Sequence, residues 1–231
     1  MERRERQVWG LDFVQADGGA DWMGGFVRLA LRPDDGVAWY WAYLVGPELG
    51  LVVVRDHEVP LPRQPGPLVV RADGLWAELV CETPEEHWSV GLEAFGVRLE
   101  DPADGFRDEI GERLAVGLDL EWEVEGAVFG EILVGPDRIA FDGTGAFSHG
   151  RGDHVWVTTA GVQAELGGDG LPTSVTICSG RDAAPIEVLG MAAIPISRDG
   201  ERPIRLVRVL GRWTDDDGAA IVGWVDLVEP S

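Results

Sequence analysis

Lysine and asparagine are both absent from this 231-residue chain, and arginine supplies all 19 of its basic residues. Without lysine the chain cannot form a Schiff base with a substrate, and it lacks the lysine of a phosphate-binding loop. Positive charge is also scarce, since 41 acidic residues leave a net charge of −22. Such a surface repels the phosphates of nucleic acids and of anionic membranes, so we expect no nucleic-acid partner. The composition favours a ligand that is neutral or apolar.

Long apolar runs are missing as well. None reaches the roughly 18 residues that a membrane-spanning helix needs, and the charged segment 1–6 does not lead into the long apolar stretch of a secretory signal. We therefore expect a cytoplasmic protein with no stable membrane insertion. Only two cysteines occur, Cys81 and Cys178, both in apolar strand-like contexts. Two buried thiols are predicted, and a disulfide between them stays open.

Short apolar segments separated by turn residues make up most of the chain. Its 32 glycines and 14 prolines divide it into about fourteen runs rich in Val, Leu, Ile and Trp, a spacing typical of a β-sandwich or β-barrel. Residues 121–125 alternate strictly between acidic and apolar side chains, as in a strand with one buried face. The segment Asp215-Asp-Asp-Gly218 lies between two such runs and is predicted to form a hairpin loop.

A single segment has the features of a helix. Residues 102–114 follow Asp101, a possible N-cap, and Pro102 occupies the first helical position. This short, polar segment is predicted to cross the surface between two β-rich halves, residues 1–117 and residues 118–231. No repeat of fixed period accompanies that division.

Residues 141–156 concentrate the chemistry of the chain, because they hold four glycines and two of its four histidines, His149 and His154. Strand-like runs flank the segment, so it is predicted to connect two strands and to help form a pocket. Asp153 could complete an acid–base set with the two imidazoles. A polar hairpin whose histidines face water is the alternative. The same three side chains could bind a metal ion, but no CxxC or HExxH motif supports that, so we predict no metal and no cofactor.

Tryptophan is abundant, with ten residues against two tyrosines. In a strand, Trp39, Trp41 and Tyr43 point to one side, where their rings could hold a large apolar ligand or stabilise a carbocation. The alternative is that these rings simply fill the core of a barrel, since an eight-stranded barrel has room for side chains or one small ligand.

A second polar group of residues surrounds His87, which follows two glutamates and precedes Trp88. Along an extended chain His87 and Glu93 share a face. They could form a buried acid–base couple with shifted pKa values, or they could be an outward-facing polar pair. Both arrangements are compatible with the sequence.

Six segments, in chain order, resemble the lipocalin-like superfamily of carotenoid (hydroxyneurosporene) hydratases and its uncharacterised bacterial relatives. They are Gly25-Phe-Val-Arg-Leu29, Val37-Ala-Trp-Tyr-Trp-Ala-Tyr43, Val54-Arg-Asp-His-Glu-Val-Pro60, Trp76-Ala-Glu-Leu79, Glu86-His-Trp-Ser-Val-Gly-Leu-Glu-Ala-Phe-Gly96 and Phe141-Asp-Gly-Thr-Gly145. The resemblance implies an all-β, calycin-type antiparallel barrel, commonly in two such units, that holds an apolar ligand. Some relatives in this broad group act as terpenoid or polyketide cyclases.

The chain departs from the family pattern near its glycine-rich segment. In such relatives Gly-Thr-Gly is followed by Arg-Asp-His, then Trp-Gly, then Arg-Asp-Trp. Counted from Gly143, the chain keeps His149, Gly152 and Trp156. It has Phe147-Ser148 in place of the first Arg-Asp, Arg151 in place of the first Trp, and His154-Val155 in place of the second Arg-Asp. The acid expected from the resemblance is therefore missing. Either Asp153 or Glu93 could replace it, and the alternative is that catalysis has been lost.

Two functions follow as hypotheses. The first is a cofactor-independent hydratase or cyclase that activates a double bond of an apolar unsaturated substrate with acid assistance. Its catalytic residues would be His149, Asp153, His154 and Glu93, and its cavity would be shaped by Trp39, Trp41, Tyr43, His87, Trp88 and Trp156. The second is a non-catalytic binding protein for a hydrophobic metabolite. Edge strands in so β-rich a chain make a homodimer conceivable.

Overall fold

A computed structural model describes residues 6–16, 21–63, 67–84, 86–107, 110–123, 126–151, 159–179, 182–196, 204–215 and 217–228. Strands dominate these residues, as the density of Val, Ile, Leu and Trp predicts. Their bounds are β1 Gln7–Ala16, β2 Trp22–Arg32, β3 Val37–Gly46, β4 Gly50–Pro60, β5 Leu68–Ala72, β6 Leu75–Thr83, β7 His87–Leu99, β8 Glu112–Glu123, β9 Ala127–Val134, β10 Asp137–Arg151, β11 Val162–Leu166, β12 Pro172–Ser179, β13 Asp182–Pro185, β14 Glu187–Ile196, β15 Ile204–Thr214 and β16 Ala220–Val228.

Eight antiparallel strands close into a barrel in the order β4-β3-β2-β1-β10-β9-β8-β7. Three residue pairs complete the ring, joining residues 51–53 of β4 to residues 97–99 of β7. The other part of β7 pairs with β6, so the β5–β6 hairpin continues the sheet beyond this seam, and its buried side chains belong to the same apolar core as the barrel interior. The predicted all-β, barrel-forming class is confirmed.

The barrel interior is filled by apolar side chains from its strands. In β1, Trp9, Leu11 and Phe13 point inward, while Val8 and Val14 point outward, as the two-residue period of a strand requires. The inward set of β3 is Ala38, Tyr40, Ala42 and Leu44. An eight-stranded barrel leaves an interior only wide enough for side chains or one small ligand, and here side chains occupy it.

A three-stranded sheet, β14-β15-β16, covers the outer face of β1 to β4. Alternation along its strands divides its side chains between two layers. Leu206 and Leu210 pack on the barrel, whereas Val207 and Val209 pack on a further three-stranded sheet, β11-β12-β13. On this side, the outward face of the barrel and the covering sheet therefore form a second apolar core.

Buried ion pairs connect the covering sheet to the barrel. Arg208 of β15 bonds to Asp12 of β1 and to Asp226 of β16, and the Nη1 of Arg28 lies 2.6 Å from Asp12 Oδ1. The Arg208 guanidinium also stacks over Phe26, 4.5 Å from the ring centroid. Two carboxylates balance two guanidinium groups, which is what allows charges to be buried here.

The boundary predicted at residue 117 falls within β8. Strands β7 and β8 pair from Arg98–Glu112 to His87–Glu123, so one continuous sheet runs through this position. The covering sheets begin only after β10, the last barrel strand.

The helix predicted over residues 102–114 is wrong in length. Among the described residues of this segment, Pro102–Phe106 is helical, as a single 3₁₀ segment, and Glu112 already begins β8. The predicted cap is confirmed, since the Asp101 carboxylate accepts a 2.9 Å hydrogen bond from the Ala103 amide. No helix in the described parts of the chain is long and apolar enough to cross a membrane.

Two further local predictions have different outcomes. The hairpin between β15 and β16 is confirmed, because Asp215 Oδ1 accepts from the amides of Asp217 and Ala219, and Gly218 adopts φ +83°. The prediction of two buried thiols is wrong for Cys81, which lies in the exposed last part of β6, residues 81–83. Cys178 is half-buried, and both thiols are free.

Candidate functional site

The predicted loop at residues 141–156 is a strand as far as Arg151. Strand β10 pairs with β9 through residues 137–144 and with β1 through residues 144–151. Gly143 and Gly145 allow close approach of neighbouring atoms and do not form a turn. A Cβ at Gly145 would lie 2.6 Å from Trp122 Nε1 and 2.6 Å from Val128 Cγ2. Asp153, His154 and Trp156 lie outside the described residues.

His149 borders a cleft of about 780 Å³ at one end of the barrel. The ends of β6, β7 and β8 form its walls together with the later part of β10. We call it the aromatic cleft, and its lining includes Cys81, Trp88, Trp122, Glu123, Phe147 and His149. Two of the predicted site residues, His149 and Trp88, are thus brought together.

Flat rings stacked in pairs define the cleft and the barrel end beneath it. Trp88 and Phe147 stack at 4.5 Å between centroids with an interplanar angle of 24°. His149 stacks on Trp9 at 4.8 Å and 13°, and the two residues are directly opposed across β10 and β1. Since Trp9 is buried and His149 is exposed, the imidazole covers the Trp9 indole at this end of the barrel interior. The site offers broad π-faces and few charges.

The electrostatics of His149 favour its neutral form. Partial burial lowers the pKa of the imidazole below its ordinary value, and the nearby Arg151 guanidinium lowers it further. A neutral imidazole has one N–H donor and one nitrogen acceptor. At neutral pH His149 can therefore accept a proton or orient a polar group, but it is not itself a strong acid.

Three predicted ligand-contact residues lie elsewhere. Trp39, Trp41 and Tyr43 do share one face of β3, as predicted, but that face points away from the barrel interior and beneath the covering sheet. Trp41 and Tyr43 are completely buried there. Sequence alternation identifies the shared face but not which side of the sheet is inside.

His87 and Glu93 lie on the face of β7 opposite to Trp88. The Nε2 of His87 is 2.5 Å from Oε2 of Glu121, a partner on β8. Glu93 is exposed, six residues further along the strand. Of the two predicted arrangements, the structure has the outward-facing one, and Glu93 does not line the aromatic cleft.

Sequence reasoning did not single out Trp9, Trp122 or Phe147 as site residues. The alternation of residues 121–125 does place Trp122 on a buried face. Its proximity to the His149 strand, however, depends on pairings β8–β9 and β9–β10, which no local pattern specifies.

The chain belongs to a family defined by a domain of unknown function (DUF7064), whose model matches residues 4–163 and so spans the whole barrel. A comparison with curated proteins finds no match. Among solved structures, an AttH-type protein from Nitrosomonas europaea is 13% identical with a TM-score of 0.37, covering 97% of this chain and 92% of its own. CghA in complex with Sch210972 is 10% identical with a TM-score of 0.37, covering 97% of this chain and 88% of its own. Likeness at this level carries no inference about function.

Proposed function

We propose that this DUF7064-family barrel binds a planar, apolar, unsaturated small molecule in the aromatic cleft. The observation that carries the proposal is the stacked pair Trp88–Phe147 beside the stacked pair Trp9–His149. Such faces attract flat π-systems, since aromatic contacts contribute about 0.5–1.5 kcal/mol beyond the area that they bury.

Size and charge support the same ligand class. A volume of about 780 Å³ lies within the roughly 300–1,000 Å³ typical of small-molecule pockets. The net charge of −22 disfavours anionic ligands. Because the barrel interior is occupied by its own side chains, the open cleft at its end is the better location for a ligand than the barrel centre.

Binding can be tested with the neutral fluorescent probe N-phenyl-1-naphthylamine. We expect Phe147→Ala to weaken binding about 10-fold, because it removes one ring of the Trp88 stack. Phe95→Ala is the matched control, since Phe95 is 64% exposed on the outer face of β7, away from the cleft. Equal affinities for wild type, F147A and F95A would contradict the proposal.

A cofactor-independent hydratase or cyclase is the second candidate, and one observation favours it. Glu123, the last residue of β8, and His149 both line the same cleft. In a hydration, Glu123 would act as the general acid and give a proton to one alkene carbon, so that the π bond is replaced by a C–H bond and a cation forms on the neighbouring carbon. Indole faces would stabilise that cation. Water would then add to it and release a proton to His149, and proton return to Glu123 would complete the cycle.

Turnover distinguishes the two candidates. With (E)-β-farnesene as the test substrate, we would follow its loss and product formation by gas chromatography and mass spectrometry. For an enzyme, Glu123→Gln lowers turnover while probe binding persists, and the control Glu93→Gln on the outer face leaves both unchanged. Wild-type protein that binds the probe but converts neither farnesene nor a panel of polyenes is a binding protein.

A further inference from the structure

Trp122 has a buried hydrogen-bond donor with no acceptor. Its side chain is 2% exposed, and among the described residues its Nε1 has no hydrogen-bond partner. A buried N–H that has lost its bond to water is unfavourable unless another acceptor replaces it. Most buried indoles find such a partner.

The position of this donor connects it to the aromatic cleft. Both Trp122 and Gly145 line the cleft, and a Cβ added at Gly145 would lie 2.6 Å from Nε1. The indole nitrogen therefore faces the part of β10 that has no side chain to cover it. An edge-on contact with Phe13, 5.6 Å between centroids at 79°, fixes the ring.

From this geometry we infer that the ligand of the aromatic cleft carries a neutral hydrogen-bond acceptor, a carbonyl oxygen, that receives the Trp122 N–H. The inference rests on the proposed function and narrows it from apolar unsaturated molecules to conjugated ketones and aldehydes. Acceptors with a full negative charge fit less well, because the chain carries a net charge of −22. Trp122 acts here as a specificity-determining residue.

A matched pair of probes tests the inference. Fluorenone and fluorene have the same planar outline and differ in a carbonyl against a methylene group. We would measure both dissociation constants by equilibrium dialysis with wild type, Trp122→Phe and Trp88→Phe. The last variant is the control, because it keeps a ring in the stack with Phe147 but removes the other cleft indole N–H.

We expect the ratio of the fluorene to the fluorenone dissociation constant to fall by about 3- to 10-fold in W122F, the range of one net hydrogen bond. The ratio should stay at its wild-type value in W88F. In the wild type, fluorenone but not fluorene should also shift one indole N–H signal downfield in a ¹⁵N-correlated spectrum, and that signal should be missing from W122F.

The outcomes separate the two proposals. If both probes bind but the ratio is the same in wild type and W122F, the carbonyl inference is overturned and the proposed function stands. If neither probe binds wild type, the proposed function itself fails. Should W122F not fold, the wild-type spectrum decides, because fluorenone binding without an indole shift also overturns the inference.

Discussion

Arg208 of β15 donates two hydrogen bonds, each 2.8 Å long, to the two carboxylate oxygens of Asp12 on β1. This bidentate pair spans the interface between the barrel and its covering sheet. Each member of the pair has a second partner of opposite charge, since Arg208 also bonds to Asp226 and Asp12 also pairs with Arg28. Four charges that are costly to bury singly are stable here because each has an opposite partner.

Removing one member of this cluster should strongly destabilise the fold. We expect Asp12→Asn to lower the free energy of unfolding by about 3–5 kcal/mol, because two buried guanidinium groups lose their shared counter-charge. The matched control is Glu112→Gln, which breaks the exposed Arg98–Glu112 pair and should change stability by less than about 1 kcal/mol. Urea unfolding followed by tryptophan fluorescence measures both. Equal effects of D12N and E112Q would contradict the account.

The same carboxylate makes stability depend on acid pH. Burial alone would raise the pKa of Asp12, but Arg28 and Arg208 lower it by more, so the folded-state pKa lies well below the ordinary value. In the unfolded chain an aspartate titrates near pH 4. Stability from Asp12 is therefore fully present above about pH 4 and is lost as the pH falls towards the folded-state pKa.

We accordingly expect the stability difference between wild type and D12N to be constant from pH 7 to 5 and to shrink at pH 3. Urea unfolding at these three values gives the comparison. A difference that does not change with pH would show that the charge of Asp12 is not what stabilises the interface.

His57 should produce a second pH dependence at higher pH. Burial, and then the Arg55 charge, lower the pKa of His57 to about 4, although Asp56 opposes the shift. Since an unfolded histidine titrates near 6.5, the unfolded state binds the extra proton first. The contribution of His57 to the free energy of unfolding is therefore fully present above about pH 6.5. It falls by about 2 kcal/mol as the pH drops to 4, after allowance for the partial exposure of the imidazole.

His57→Gln should remove most of that slope, because glutamine does not titrate. His149→Gln, at an exposed position, is the control and should keep most of the slope. Unfolding free energies measured at half-unit steps from pH 7 to 4 give the slope for wild type and for both variants. A wild-type curve that is flat over this interval would show that the pKa of His57 is not lowered in the folded protein.

Gly145 should not tolerate a methyl group. We expect Gly145→Ala to destabilise the barrel by about 1–3 kcal/mol, because the new Cβ would overlap Trp122 and Val128. Gly150→Ala is a matched control in the same strand, where a Cβ meets nothing within 4 Å. Thermal unfolding measured by circular dichroism compares the two. Similar melting temperatures for G145A and G150A would argue against the close approach.

The strands were predictable from the sequence because their alternation is local. Residues 121–125 show this, since the predicted buried position Trp122 is indeed an inward side chain of β8. Alternation failed where glycine has a tertiary role. In residues 141–151, Gly143 and Gly145 look like loop residues in the sequence. They are glycines because the backbone of β1 and the Trp122 indole, both distant in sequence, leave no room for a Cβ.

The candidate site was predictable only in part. Closure of the barrel, by pairing of strands far apart in sequence, determines which side of the sheet faces the interior. His149 and Trp88 lie at one cleft, whereas Trp39, Trp41 and Tyr43 were equally good aromatic candidates by spacing alone. The covering sheet β14-β15-β16 packs over those three positions, burying Trp41 and Tyr43 completely and Trp39 in part. Which face of β3 points towards that sheet depends on contacts with residues some 150 positions later in the chain, and local periodicity does not encode such contacts.

The ring of strands is joined at its last seam by only three residue pairs, between residues 51–53 and 97–99. Every other neighbouring pair in the ring is longer. Few hydrogen bonds would have to break for the cylinder to part along this line, so its amide protons should exchange with deuterium earlier than those of adjacent strands. Transient parting there would give solvent a route to the apolar centre without unfolding the remaining wall.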